Sequence, residues 1–267
     1  MTDDELRAAA VRCRLRVVDT AKRAGVGHIG SALSVMDIVT VLQCAIMNAS
    51  DAGDPTRDRL VLSKGHAAMA LYAALVETGC LDEESLASYC TDGSTLATHP
   101  ERVVPGIDFC SGSLGQGLSV GTGSAMAARI GGQARRTFVL MSDAECDAGA
   151  TWEAALFAGH HRLNGLTAII DVNGQQALGY TPDVLDLEPL DAKWKSFGWD
   201  VIDAEGHSIS ALRNALEFRG DRPTVILART KLGRGVSFME GLIKWHYWPL
   251  SDEEHVVAAT EISAGLA

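Results

Sequence analysis

The chain has 267 residues, 47% of them apolar and 21% charged, with a net charge of -11. That length and apolar content suffice for a sizeable core, at the upper end for one domain. The acidic balance argues against a nucleic-acid partner or an anionic membrane surface. No apolar run approaches bilayer length, and the acidic start, Met1 to Leu6, is no signal peptide, so a cytoplasmic location is expected.

In chain order, residues 3–24 read as an amphipathic helix, with Leu6, Ala9, Cys13, Val17 and Ala21 on one stripe. Ser34 is placed to cap a second helix through Met47, with Asp37 in its first turn. Leu60 to Ser63 reads as a short strand, Gly65 to Val76 as a helix ending at Gly79, residues 82–90 as a short helix and residues 91–111 as a long loop. A helix from Gly115 to Ile130 stops at Gly131 and Gly132. Its glycine-rich entry, Gly112 to Gly117, lets a ligand approach unpaired main-chain N–H groups, although such a loop alone reads more readily as a flexible helix start.

Thr137 to Met141 and Leu166 to Asp171 are apolar runs with the character of buried strands, and Gly149 to Leu163 between them has helical spacing. After an irregular stretch from Tyr180 to Leu190, Trp199 to Asp203, a helix near Ser210 to Arg219, and Pro223 to Ala228 continue the alternation. The fold class is therefore α/β, a parallel sheet with helices on both faces. In such a sheet Asp143 and Asn173 emerge at the carboxyl edge of neighbouring strands, where ligands bind. One carboxylate and one amide oxygen there suit a hard divalent ion whose other positions are taken by phosphate oxygens.

The six cysteines show no paired metal-ligand spacing and are expected to be reduced, structural thiols, with Cys146 set apart by its place beside the Asp143 loop. His28, His66, His99 and His246 each lie in a polar segment containing Gly or Pro, where a single histidine is more often a solvated loop residue. His160, His161, His207 and His255 are expected to be structural.

The spacing from Asp143 to Asn173 resembles the thiamine-diphosphate motif. Val26 to Ser31, Ser63 to His66, Thr98 to Glu101, Gly112 to Gly117, Lys231 to Glu240 and Trp245-His246 resemble, in order, the amino-terminal half of a transketolase. The likeness is strongest to the short chain of split, two-chain transketolases and runs from about residue 5 to about residue 255. It implies one diphosphate-binding domain over residues 1–267 with the thiamine-diphosphate-binding fold. Asp143, Asn173 and the main-chain oxygen of Gln175 would hold Mg2+ (or Ca2+ or Mn2+). His66, Gly112, Leu114, Gly115, Ser142, Asp143, Ala144, Glu145 and Asn173 would meet the cofactor. His28 and His246 would contact substrate hydroxyls and move protons, and His99, with His66, would hold the donor ketol or the diphosphate. Lys231 and Arg234 divide evenly between structural and phosphate-binding roles.

Two departures stand out. Ser142 and Ala144 replace the family's flanking glycines, and Ala148 stands where a glutamate usually links two cofactor sites, a link then lost or rerouted through Glu145, Asp147 or Glu153. The carboxylate that activates the cofactor belongs to a pyrimidine-binding domain not found before Ala267. The resemblance therefore implies a partner chain carrying that domain and a heterotetramer, which moves a two-carbon ketol unit from a ketose or ketose phosphate to an aldose. The alternatives are another thiamine-diphosphate carboligation (acyloin or 1-deoxyxylulose-phosphate-like synthesis) and a non-catalytic scaffold subunit.

Overall fold

The computed structural model describes residues 1–48 and 54–265. Helix α1 (Asp3–Ala24) opens with Thr2 accepting from the Glu5 amide while Glu5 reaches back to the Thr2 amide, and it closes at Gly25 in the left-handed region. Short helices α2 (Ile29–Ser34) and α3 (Met36–Val41) follow, and the chain then widens into a π turn over Leu42–Ile46. Strand β1 (Arg59–Leu62) leads to α4 (Ala68–Glu77), α5 (Glu83–Ala87) and α6 (Gly117–Ile130). Strand β2 (Thr137–Ser142), α7 (Gly149–His160) and β3 (Leu166–Val172) form the central strand–helix–strand unit. Two-residue strands β4 (Gln175–Gln176) and β5 (Gly179–Tyr180) make a hairpin, followed by α8 (Thr181–Val184) and α9 (Leu190–Ser196). Strand β6 (Asp200–Glu205), α10 (Ile209–Glu217), β7 (Thr224–Arg229), α11 (Lys244–Tyr247) and α12 (Asp252–Ser263) complete the described chain.

The main sheet is parallel, in the order β1-β2-β3-β7-β6. Its strands alternate between two cores, as a pleat requires. Phe138 and Leu140 face the core that holds α1, α3 and α4, while Val139 and Met141 face the one that holds α7 and α9. Helix α6 lies directly on β2 because Gly121 has no side chain; a Cβ there would stand 2.2 Å from the Val139 side chain.

The expected strands and most helices are present, with two changes of boundary. Ser34 does not cap a helix, since α2 begins at Ile29 after His28 turns left-handed (φ 65°). Ser34 is instead buried at the end of α2 and donates to Asp171 at 2.7 Å. The helix expected near Ser210 to Arg219 runs from Ile209 to Glu217, with Ser208 accepting the Ala211 amide at its start. The expected second helix is present as α3 and the π turn, from Met36 to Ile46, with Met47 already extended.

Candidate active site

Residues Ser142 and Asp171 are register partners on β2 and β3, so Asp143 and Asn173 leave the sheet side by side at its carboxyl edge. Asp143 is almost wholly buried. Its carboxylate accepts from the Ala144 amide at 2.9 Å, the Gly174 amide at 3.1 Å and the Thr181 hydroxyl at 3.0 Å. Burial first, then the charge of Asp171, pushes Asp143 up to about 6. Asn173 Nδ2 donates to Asp171 at 2.8 Å, and its Oδ1 accepts the Gln175 amide at 2.9 Å.

Asp171 ties this edge together. One oxygen accepts from Ser34 and Thr230, and the other from Lys64 Nζ and Asn173. Lys64 is 1% exposed, so this is a buried ion pair whose anion also fixes the amide of Asn173.

A cavity of about 200 Å³ opens at the same edge. His28, His66 and His246 meet in it as a triangle with ring centroids 5.3 to 5.4 Å apart. Residues far apart in sequence converge because the His28 amide donates to the His246 carbonyl at 3.2 Å, while Trp245 buries itself under Phe238. His99 closes another wall, its ring against Gly112 and its Nδ1 at 3.1 Å from the Thr98 hydroxyl. Leu114, Ser142, Ala144, Asn173 and Gln175 complete the expected lining.

Burial favours the neutral form of His28, His66 and His246. His246 falls to about 4, through burial, then His28 and the Lys64 ammonium. His66 lies well below its usual value for the same first reason, with Lys64 next, and His28 is lowered by burial and His99. Unfolded imidazoles take up protons near pH 6.5, whereas these resist down to about pH 4 in the case of His246. They therefore subtract no stability above pH 7 and destabilise the fold progressively as pH falls from about 6.5 toward 4. Urea midpoints measured across that window should drop in the native chain and drop less steeply in His246→Asn; parallel curves would refute the assignment.

Three of the residues expected at the site lie off the histidine cavity. Glu145 is fully buried: Oε1 accepts from Ser63 and from the Gly115 amide (3.0 Å), and Oε2 from the Ser142 amide (2.9 Å). The 3-10 turn over Asp143–Asp147 swings it inward, so it braces the loop from behind and is not among the cavity's lining residues. Gly115 likewise spends its N–H on Glu145, and its left-handed φ of 83° and a would-be Cβ at 2.5 Å from the Ala148 methyl make it a packing glycine. Asp143 faces an adjoining cavity of about 300 Å³ with Thr181, Arg229 and Thr230, and Asn173 lines both spaces.

Ser31, Lys64, Gln176 and Ala177 also line the histidine cavity. Ser31 and Lys64 lie within motifs that single out their histidine neighbours. Gln176 belongs to the β4–β5 hairpin, which Tyr247 ties to the His246 segment by donating to the Ala177 carbonyl. Lys231 and Arg234 both pair with Glu240, at 2.9 and 3.3 Å, and pin their own loop. His207 bridges Asp37 (2.9 Å) and the Lys231 amide (2.8 Å), a structural role as expected.

Residues 6–267 match the family described as transketolase, thiamine diphosphate binding domain. The chain is 37% identical over 268 residues to one of the apulose-4-phosphate transketolase subunits of Phocaeicola vulgatus, covering 98% of this chain and 95% of that one. It is 38% identical over 265 residues to a 6-deoxy-6-sulfo-D-fructose transketolase subunit from a Clostridium species, covering 97% and 96%. The crystal structure of transketolase from Campylobacter jejuni superposes with a TM-score of 0.92 at 29% identity, over 98% of this chain but 43% of that one.

Proposed function

Because the chain belongs to the transketolase family, as its thiamine-diphosphate-binding domain, we propose that it works as the diphosphate- and Mg2+-binding subunit of a two-chain transketolase. The observation that carries this reading is the meeting of three neutral histidines with the Asp143 and Asn173 strand ends at one sheet edge.

The residues at that edge fit a cation-held diphosphate. Asp143 is a carboxylate raised first by burial and then by Asp171, and Gln175 Oε1, on the cavity wall, is buried with no hydrogen-bond partner. Among the described residues no group of three or more His, Cys, Asp or Glu is placed to hold a metal. A cation here would thus rely on Asp143, Asn173 Oδ1 and the Gln175 carbonyl, with ligand phosphate oxygens completing a hard-ion shell, as Mg2+ prefers and Ca2+ or Mn2+ tolerates. Ser142 and Ala144 are small enough to leave the cavity wall open.

Thiamine diphosphate, when bound, supplies the electron sink for cleaving the bond beside a ketose carbonyl. The chain's own part is to orient and to move protons. Neutral imidazoles both donate and accept, so His28 and His246 would hold donor hydroxyls and exchange a proton with them, while His66 and His99 orient the ketol portion. Lys64, which lines the same cavity, spends its ammonium on Asp171.

The relatives named as subunits support a partner chain, which would carry the pyrimidine-binding domain in a heterotetramer. Leu114, Leu178, Tyr247 and Trp248 lie exposed on or beside the cavity segments and offer apolar area for it. One relative is named for a phosphorylated sugar and the other for a sulfonated one, so a ketose bearing an anionic group is the donor class proposed here, with an aldose acceptor. The six cysteines stay free thiols, which suits the reducing cytoplasm as the place of work.

With the partner present, ketose phosphates and pyruvate offered side by side decide the donor. Ketol transfer from the ketose supports the proposal, and condensation from pyruvate alone would replace it with a carboligase. In the same assay His28→Ala should lower turnover by about 10²-fold or more, with cofactor affinity little changed. An unaltered rate would remove His28 from the reaction.

A further inference from the structure

At the opposite edge of the sheet, where β2 and β3 begin, Arg129, Arg135, Arg136 and Arg219 line a cavity of about 360 Å³ whose wall contains no carboxylate. In a chain of net charge -11 this is a local reversal of sign. Arg136 is offset by Asp58 at 3.3 Å and lies over the Phe138 ring. The other three have no carboxylate within ion-pair distance among the described residues; neutral acceptors hold their heads. Arg129 donates to the His161 carbonyl. Arg135 donates to the Ser124 hydroxyl and carbonyl at 2.9 and 3.1 Å, and Arg219 to the Leu216 and Phe218 carbonyls at 2.9 and 2.6 Å.

Such bonds orient a guanidinium without cancelling its charge. The carbonyl ends of α6, α7 and α10 carry roughly half a negative charge each and account for an arginine settling near a helix end. They do not account for three guanidinium groups without a carboxylate partner lining one concave space. Arginine forks with spare donors suit phosphate oxygens in particular, and the volume lies in the range of small-ligand sites.

We propose that this cavity binds a small phosphate-bearing anion of two or more negative charges, at a site separate from the histidine-lined one. The six residues of β2 put about 20 Å between the two edges.

The test is calorimetric titration of inorganic pyrophosphate into the full chain, in 0.15 M chloride and without divalent cation, so that cation-dependent binding at the Asp143 edge is silent. Saturable binding near one equivalent is expected, weakened at least ten-fold in Arg129→Gln/Arg219→Gln and unchanged in Asp143→Ala. Both arginines are exposed, so the double variant should keep the native melting temperature, and Arg135→Gln provides a second disruption if it does not. Equal affinity in the native chain and the arginine variants, or no saturable binding, overturns the proposal. So does loss of binding in Asp143→Ala with the arginine variants intact, which would place the anion at the other edge. Competition then separates the sources: displacement by a sugar phosphate below the concentration needed for inorganic phosphate identifies a phosphorylated metabolite, and the reverse order identifies free phosphate.

Discussion

Asp143→Ala is expected to weaken cation-dependent binding of thiamine diphosphate by at least about 100-fold while the chain stays folded. Loss of residues that merely support metal ligands costs on the order of 10- to 100-fold in metal affinity, and Asp143 would be the one anionic ligand that the protein supplies. The fold survives because the carboxylate is a strained guest. It accepts three hydrogen bonds, yet burial and the nearby Asp171 charge raise it to about 6. Removing it leaves three donors short of a partner but also removes a buried charge, and the two effects oppose each other. Calorimetry with Mg2+ and the cofactor measures the first effect, and thermal unfolding the second. Unchanged cofactor affinity in a folded variant would remove Asp143 from the metal site.

Lys64→Met acts on the same edge through stability. Lys64 and Asp171 are 1% and 0% exposed, so the substitution strands a carboxylate in the core. Breaking a buried pair from one side costs about 3–5 kcal/mol, because the remaining charge loses its counter-ion. Ser34, Thr230 and Asn173 still donate to Asp171, which places the expectation at the lower end of that range. Urea unfolding gives the cost directly. The double variant Lys64→Met/Asp171→Asn should recover much of it, since no charge then remains to be compensated. If the double variant is as unstable as the single one, packing of the lysine stem, not its charge, holds this edge.

Much of this arrangement is written locally. The uninterrupted apolar runs before Asp143 and Asn173 are what strands buried on both faces require, and parallel pairing then forces both residues to one edge. The meeting of His28, His66 and His246 is different. No periodicity brings them together; the His28–His246 backbone bond and the burial of Trp245 do, and only the ordered set of motifs signals it. The places of Glu145 and Gly115 are not legible in the sequence, because a single 3-10 turn decides which way an acidic side chain points. Ser34 has the spacing of a cap, yet its hydroxyl serves a carboxylate on a distant strand. The hairpin of β4 and β5, at two residues a strand, leaves too short a pattern to read. Arg129, Arg135 and Arg219 are scattered along the chain and become a cluster only when three helix ends gather at one edge.

On the proposed reading, half of a cofactor site resides here and another chain completes it. The most direct test is calorimetric titration of thiamine diphosphate with Mg2+ into this chain alone and into its complex with a chain carrying the pyrimidine-binding domain. Binding that is weak or absent in the first sample and stoichiometric in the second is the predicted result. A stable complex that binds no cofactor would contradict it and leave the chain a scaffold with the fold of a transketolase domain.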